Sequence, residues 1–466
     1  MKRTMKNLNS TVSRIALSGM AFGVCASLFA APLHAETLTE ALAKAYTTNP
    51  TLQSARATLR AKDESVSQAL AGWRPSLSMT GTAGARKQKT SLVPNNTNTN
   101  PKTASLDLTQ SLYAGGQTSA DISSAENSVR AQRARLVASE QTVLLNAATA
   151  YLNVLRDQAV VELNAKNEDV LKSQLEATQD RFNVGEITRT DVHQAQSRYA
   201  GATADRIQAQ GTLEASRAAY ANMMGNGPEK LEAPKLALPM PTGLDDALKL
   251  AEETNPDVLA AEFDERAAAD DIDSTRGQLL PSLDLNGSAS RSLETASKSY
   301  WATTYEATVT LSVPLYQSGS VYSKLRQARQ TASATRMDLV QTRRDVTEQV
   351  RSAWETWVST KARIEAIKTQ VIAAETALEG VQREASVGSR TVLDVLDAEQ
   401  ELLDASVNLV KSQRDETVAE LTLLSSIGHL TATDLNLAVD LYDSQGHYQE
   451  VRGKWFGGSV NDDTAK

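Results

Sequence analysis

Hydrophobic positions along the chain follow two rhythms, and both rhythms occur twice. Residues 37–73 and 243–277 are alanine-rich, with apolar positions three and four apart as in amphipathic helices, and Pro50 and Pro256 each restart a helix after a short break. Runs of period two follow. In the first half these are Leu77-Ser78-Met79-Thr80-Gly81-Thr82-Ala83 and Leu106-Asp107-Leu108-Thr109-Gln110-Ser111-Leu112. In the second they are Leu283-Asp284-Leu285-Asn286 and Ala307-Thr308-Val309-Thr310-Leu311-Ser312-Val313. Such alternation predicts strands with one apolar and one polar face, joined by loops such as Asn95-Asn96-Thr97-Asn98-Thr99-Asn100-Pro101. Proline is then absent from 102 to 227 and again after Pro314. Each half therefore offers a stretch that can stay helical for over a hundred residues, interrupted near Val184-Gly185 and Val387-Gly388. A helix from 117 to 184 spans about 100 Å at 1.5 Å per residue, and one from 189 to 225 runs back along it. Val143, Ala147, Ala150 and Val154, and likewise Leu393, Leu396, Leu403, Val407 and Val410, carry the spacing of coiled-coil packing.

The two halves are a tandem duplication. Leu38-Thr39-Glu40-Ala41-Leu42 matches Leu244-Asp245-Asp246-Ala247-Leu248, Asn49-Pro50 matches Asn255-Pro256, and Pro75-Ser76-Leu77 matches Pro281-Ser282-Leu283. Farther on, Leu112-Tyr113 matches Leu315-Tyr316, Val184-Gly185 matches Val387-Gly388, Asp191-Val192 matches Asp394-Val395, and Gly225 matches Gly428. The spacing shortens by three between about 82 and 111, which marks an exposed loop. The expected organisation is a signal peptide at 1–35 and a first repeat at 36–228, with a β-hairpin at about 77–115 and a helical hairpin at 117–226. A linker at 229–242 leads to a second repeat at 243–430, with a β-hairpin at about 283–316 and a helical hairpin at 319–428. A segment at 431–466 closes the chain, its first part belting the helices near mid-length and Asp462 to Lys466 disordered.

Composition sharpens this picture. The 466 residues include 67 alanines and only 5% aromatics, which suits long helices meeting at narrow seams better than a compact core of bulky groups. Mean hydropathy is -0.35, and no repeated 20-residue apolar runs mark an inner-membrane helical transporter. At the N-terminus Lys2, Arg3, Lys6 and Arg14 precede an apolar run from Ile15 to Ala31, and Leu33-His34-Ala35 offers a cleavage site before Glu36. A retained anchor would need a longer span without the Ser and Gly of this one. A lipoprotein at Cys25 would need a small residue where Val24 stands. Removal of the signal takes four basic residues from the 48 and leaves 56 acidic, a net charge of -12 that argues against nucleic acid. It also takes the single cysteine, as suits an oxidising compartment. His193, His429 and His447 are isolated, and there is no glycine-rich phosphate loop, so neither an enzyme nor a cofactor is expected.

Four strands in one chain cannot close a barrel, yet their edges and apolar faces need partners. A secreted chain with alternating strands of about ten residues and aromatic residues at their ends fits an outer-membrane β-barrel built from several chains. Leu106, Leu108, Leu112, Val309, Leu311 and Val313 then face lipid, with Asp107, Thr109, Thr308 and Thr310 toward a wet lumen. Trp73, Tyr113, Tyr300, Trp301, Tyr305 and Tyr316 stand where an interfacial girdle would be. The competing arrangement is a soluble β-layer packed on helices.

Several motifs carry a family resemblance: the duplicated helix-hairpin-helix layout, the Asn-Pro near each repeat start, Trp73-Arg74-Pro75-Ser76-Leu77, Arg181-Phe182-Asn183-Val184-Gly185, Thr190-Asp191-Val192, Val387-Gly388-Ser389-Arg390-Thr391 and Asp394-Val395-Leu396-Asp397-Ala398. Together, over about residues 36 to 430, they resemble the TolC family of outer-membrane efflux and secretion channels. The resemblance implies a mixed α/β membrane protein: a homotrimer with a shared 12-stranded outer-membrane β-barrel that continues into a 12-helix periplasmic coiled-coil tunnel. It implies a passive duct that receives cargo from an inner-membrane RND or ABC transporter through a periplasmic adaptor.

At the tip, Val184, Gly185, Val387 and Gly388 resemble the surface that meets the adaptor, beside the plain role of glycine in ending a helix. Asp394 and Asp397 lie three apart on one helix face. They either offset the helix dipole or, in a trimer, form a ring of six carboxylates at the family's constriction. Asp191 is the counterpart of Asp394, but Gln194 stands opposite Asp397, an asymmetry that capping does not need. Arg390 resembles the family arginine that holds the tunnel shut through Thr190 and Asp191, and otherwise reads as a solvated turn residue. The family tyrosine five residues before that arginine is Ala385 here, so one latch of the closed state is missing. The rival function is a periplasmic coiled-coil adaptor or surface adhesin, which accounts for the long helices but not for two hairpins at equivalent places.

Overall fold

The structure is a computed structural model that describes residues 36–90, 93–234 and 240–458. The expected signal segment, Cys25 with it, and Asp462 to Lys466 lie outside the described residues, as does 235–239 of the expected linker.

The two repeats build the same series of elements, except that the first inserts two further strands between those of its sheet. The first has α1 (Leu38–Thr48), α2 (Pro50–Leu70) with a short 3-10 turn after it (Ala71–Trp73), β1 (Ser76–Ala83), β2 (Arg86–Thr90), β3 (Val93–Thr99), β4 (Lys102–Ala114), α3 (Gln117–Asn183) and α4 (Arg189–Met224). The second has α5 (Leu244–Thr254), α6 (Pro256–Gly277), β5 (Ser282–Leu293), β6 (Trp301–Ser312), α7 (Ser320–Ser386) and α8 (Val392–Ser426), and a short α9 (Gly446–Arg452) lies in the C-terminal segment. Helices α3 and α7 each run 67 residues, about 100 Å.

The Asn-Pro motifs explain how each repeat is tied together. Asn49 caps α2 by accepting the Thr51 amide at 2.9 Å, Pro50 takes the first helical position, and the Asn49 side-chain amide donates to the Met223 carbonyl at the end of α4 at 3.3 Å. Asn255 repeats the arrangement, accepting the Asp257 amide at 2.9 Å and donating to Ser426 of α8 at 2.9 Å. One side chain thus starts a short helix and satisfies an orphan carbonyl of a long one.

The hydrophobic core lies at mid-length of the long helices. There Leu144, Ala147, Ala148 and Tyr151 of α3 and Val350 of α7 meet α1, α2 and α5, the ends of α4 and α8, and Ile427 and Leu430 beyond α8. Away from this belt the buried positions of α3 are mostly small or polar, such as Thr118, Ala120, Ala131 and Ala134, whereas α7 buries Ile364, Ile367 and Leu378. The C-terminal segment crosses the belt and then climbs α2. His447 Nδ1 lies 3.0 Å from Asp63 Oδ2, Arg452 reaches Glu126 at 2.7 Å, and Arg74 donates to the Lys454 carbonyl at 2.7 Å close to the sheet.

The sheet is four-stranded, antiparallel and open, in the order β1-β4-β5-β6. The segment at 95–101, expected as a loop, instead contributes β3, which pairs with β2 in a separate two-stranded hairpin. Its described side chains from Arg86 to Lys89 are exposed. A pair of strands made almost wholly of Arg, Lys, Gln, Asn and Thr pairs its backbone without alternation of apolar and polar residues, so nothing in the hydrophobic pattern announced it.

Candidate functional site

Two regions stand out, the sheet and the opposite ends of the long helices. In the sheet the register sorts the side chains by face. Leu77 and Met79 of β1 stand opposite Leu108 and Leu106 of β4, which stand opposite Gly287 and Ala289 of β5. Leu285 and Leu283 then stand opposite Val309 and Leu311 of β6. The other face carries Ser78, Asp107, Ser288 and Glu306 in one row and Thr109, Asn286 and Thr308 in the next. Leu112 is the inserted residue of a bulge between Ser111 and Tyr113, so Tyr113 takes the register position opposite Leu283. The apolar face is open to solvent within one chain, with Met79 79%, Tyr305 80%, Val309 61% and Leu311 63% exposed. Trp73, Tyr113 and Tyr316 mark the helical end of the sheet and Tyr300 and Trp301 the far end. Strands of 12 or 13 residues are long enough to cross a bilayer when tilted. Among the described residues no helix is long and apolar enough to cross one.

At the other end, α3 and α7 stop in the same way. Val184 and Val387 close the helices, Gly185 and Gly388 take left-handed conformations at φ 84° and 80°, and α4 and α8 begin four residues later. Val184 is 73% and Val387 79% exposed, so both turns present a bare isopropyl group to solvent.

Each returning helix opens with a capping box. Asp191 accepts the Thr188 amide at 2.9 Å and its hydroxyl at 2.7 Å, while the Asp191 amide donates back to that hydroxyl. Asp394 does the same with Thr391, at 2.9 and 2.8 Å. The Thr391 amide and hydroxyl hold the Asp394 carboxyl below the usual carboxylate range, as the Thr188 hydroxyl and amide do for Asp191. Capping is therefore common to both repeats, and within the acidic pair the asymmetry lies at Asp397. Its Oδ1 takes Nη2 of Arg198 at 2.5 Å, an ion pair that joins α8 to α4.

Arg390 turns to its own hairpin, where its Nε donates to Glu384 at 2.9 Å. Thr190 is the second residue of α4, and among the described residues no hydrogen bond joins it or Asp191 to Arg390 within the chain. Ala385 has no side chain to form a latch, and its carbonyl receives the Gly388 amide. The sequence reading missed Arg198. Its signal was a second charge difference between the repeats, since Arg198 corresponds to Glu401 just as Gln194 corresponds to Asp397. Among the described residues there is no group of three or more His, Cys, Asp or Glu able to hold a metal ion.

The family model described as outer membrane efflux protein matches residues 41–226 and 247–429, which contain the long helices and sheet strands of both repeats. The chain belongs to that family. It is 34% identical over 424 residues to the outer membrane efflux protein BepC of Brucella suis, covering 91% of this chain and 92% of the relative. It is 29% identical over 432 residues to the outer membrane protein TolC of Escherichia coli, covering 89% and 86% respectively. Among solved structures, the outer membrane protein VceC of Vibrio cholerae superposes with a TM-score of 0.74 at 22% identity, over 84% of this chain and 96% of that one. Membership places the chain in the outer membrane with its helices in the periplasm, as a transport conduit and not an enzyme.

Proposed function

We propose that this chain is the outer-membrane exit duct of an efflux or type I secretion system, passing drugs, toxic small molecules or secreted proteins outward from an inner-membrane transporter and its periplasmic adaptor. The observation that carries this reading is the sheet: apolar on one face, polar on the other and unpaired at both edges, it stands at one end of helices about 100 Å long. Three copies joined edge to edge, β6 to β1, make a 12-stranded barrel with lipid outside and water inside. This accounts for free edges that would otherwise invite aggregation. The helices then form a 12-helix tunnel, and because nothing in the duct hydrolyses a nucleotide, the partner pump supplies the energy. A coiled-coil adaptor or adhesin leaves the two-faced sheet without a purpose.

On this reading Leu106, Leu108, Val309, Leu311 and Val313 face lipid, together with Leu112 or, past the bulge, Tyr113. Val184, Gly185, Val387 and Gly388 meet the adaptor, whose own apolar tip would cover the two exposed valines. Asp394 and Asp397 form an acidic ring at the constriction. Arg390 belongs to the gate, its guanidinium exchanging Glu384 for Thr190 and Asp191 of a neighbouring hairpin in the assembled tunnel. Arg390→Ala is expected to raise single-channel conductance in planar bilayers severalfold, and unchanged conductance removes Arg390 from the gate.

The function as a whole is tested by deleting the gene. Deletion is expected to sensitise cells to drugs or to stop export of a secreted protein, and which of the two fails identifies the cargo class. Recovery of the wild-type chain as a soluble periplasmic protein, without heat-modifiable migration, would overturn the reading.

A further inference from the structure

We infer that Arg198 is the built-in counter-charge of the constriction: by pairing with Asp397 it sets how strongly the tunnel entrance attracts and holds cations. This rests on the acidic-ring reading of Asp394 and Asp397 and adds to it a residue from the other repeat. Positions 394, 397 and 401 are three and four apart on α8, so Asp394, Asp397 and Glu401 share one helix face. Three basic groups of the two turns are engaged within their own hairpins. Arg390 holds Glu384, Arg383 holds Glu379, and on the other turn Arg181 holds Glu186. Asp394 accepts the amide and hydroxyl of Thr391, which keep it ionised, and the positive charge of Arg390 acts on it at longer range without a hydrogen bond. Among the described residues Arg198 is the cation that forms an ion pair with this face, taking the middle carboxylate at 2.5 Å.

The pairing fits the pattern of the repeats. Where α4 has Gln194 and Arg198, α8 has Asp397 and Glu401. The acid that the second repeat gains at 397 is balanced by the base that the first repeat carries at 198. Both members are partly exposed, 39% for Arg198 and 58% for Asp397. An ion pair so placed is weak and salt-sensitive. A multivalent cation arriving at the ring can therefore compete with Arg198 for Asp397, and the arginine converts a permanently strong cation trap into a moderate one. Removing the guanidinium leaves one more uncompensated negative charge per chain on this face.

The test is a bilayer measurement on purified wild-type and variant channels that migrate as the wild type in heat-modifiability gels, with Mg2+ added on the side of the helical tip. Arg198→Gln is expected to tighten block by Mg2+ about tenfold and to shift the reversal potential in a KCl gradient toward stronger cation selectivity. The charge-swapped pair Arg198→Asp with Asp397→Arg preserves net charge and pairing and is expected to bring both values back near wild type. If Arg198→Gln matches wild type while Asp394→Asn still weakens block, the ring stands and the counter-charge role of Arg198 is overturned. If none of the substitutions at 198, 394 and 397 alters block, the ring reading fails and takes this inference with it.

Discussion

Gly428→Ala is expected to destabilise the folded chain on the order of 3 kcal/mol or more, whereas the equivalent change in the first repeat, Gly225→Ala, costs about 1 kcal/mol. Both glycines end a long returning helix in the left-handed region, at φ 90° and 83°. A β-carbon at either position pays the steric penalty of that conformation. The surroundings differ. At Gly225 the new carbon meets nothing within 4 Å, whereas at Gly428 it lies 2.5 Å from the Thr254 carbonyl oxygen and 2.8 Å from its carbon. These are backbone atoms, and they are held on both sides: the Thr254 hydroxyl donates to the Ile427 carbonyl at 2.6 Å and Asn255 donates to Ser426 at 2.9 Å. The clash therefore cannot be relieved by a side-chain rotation. It has to push α8 away from the start of α6 at the edge of the core where Leu424 and Ile427 are buried. Thermal unfolding of the two detergent-purified variants, followed by circular dichroism, checks this. Equal midpoints would show that the junction yields.

The second large effect concerns charge at the tip. Asp394→Asn is expected to weaken block of the channel by Mg2+ at least tenfold, and Asp191→Asn is expected to weaken it far less. The comparison is fair because the two carboxylates make the same capping box, with Thr391 and Thr188. Loss of helix capping alone would therefore affect both variants alike, and a difference in block reports on where the charge sits in the assembly. The pH dependence follows from the lowered pKa of Asp394, whose main cause is the Thr391 amide. A carboxylate held below the ordinary aspartate value of 3.8 contributes to folding above that value and loses its contribution as pH falls through the lower one. Within one chain the Thr391 hydrogen bonds accordingly favour the charged carboxylate, and block by Mg2+ at Asp394 should weaken on acidification as that carboxylate takes up a proton. Equal pH profiles of block for wild type and Asp394→Asn would mean that another group carries the effect.

Much of the fold was legible in the residues. Alternation and helical spacing are local properties, so the strands, the long helices and their repetition could be written down from the order of Leu, Ala, Thr and Pro. The Asn-Pro pairs were visible as helix starts, but not as clamps, because the carbonyls they hold, of Met223 and Ser426, lie more than 170 residues away. The hairpin of β2 and β3 was missed for a different reason: paired strands made almost wholly of polar residues carry no hydrophobic signature. The bulge at Leu112 was missed because register depends on the partner strand.

At the tip, sequence alone determined the turns and the acidic positions. Val-Gly at the end of a helix and Thr-x-x-Asp at the start of the next are governed by backbone sterics and short-range hydrogen bonds. The pairing of charges was decided only by tertiary structure. Arg198 and Asp397 are 199 residues apart and meet because α4 and α8 pack side by side, and Arg390 turns to Glu384 because that carboxylate lies within its own hairpin. Electrostatic partnership depends on distance in space, which a linear order of residues constrains only within a turn or two of helix.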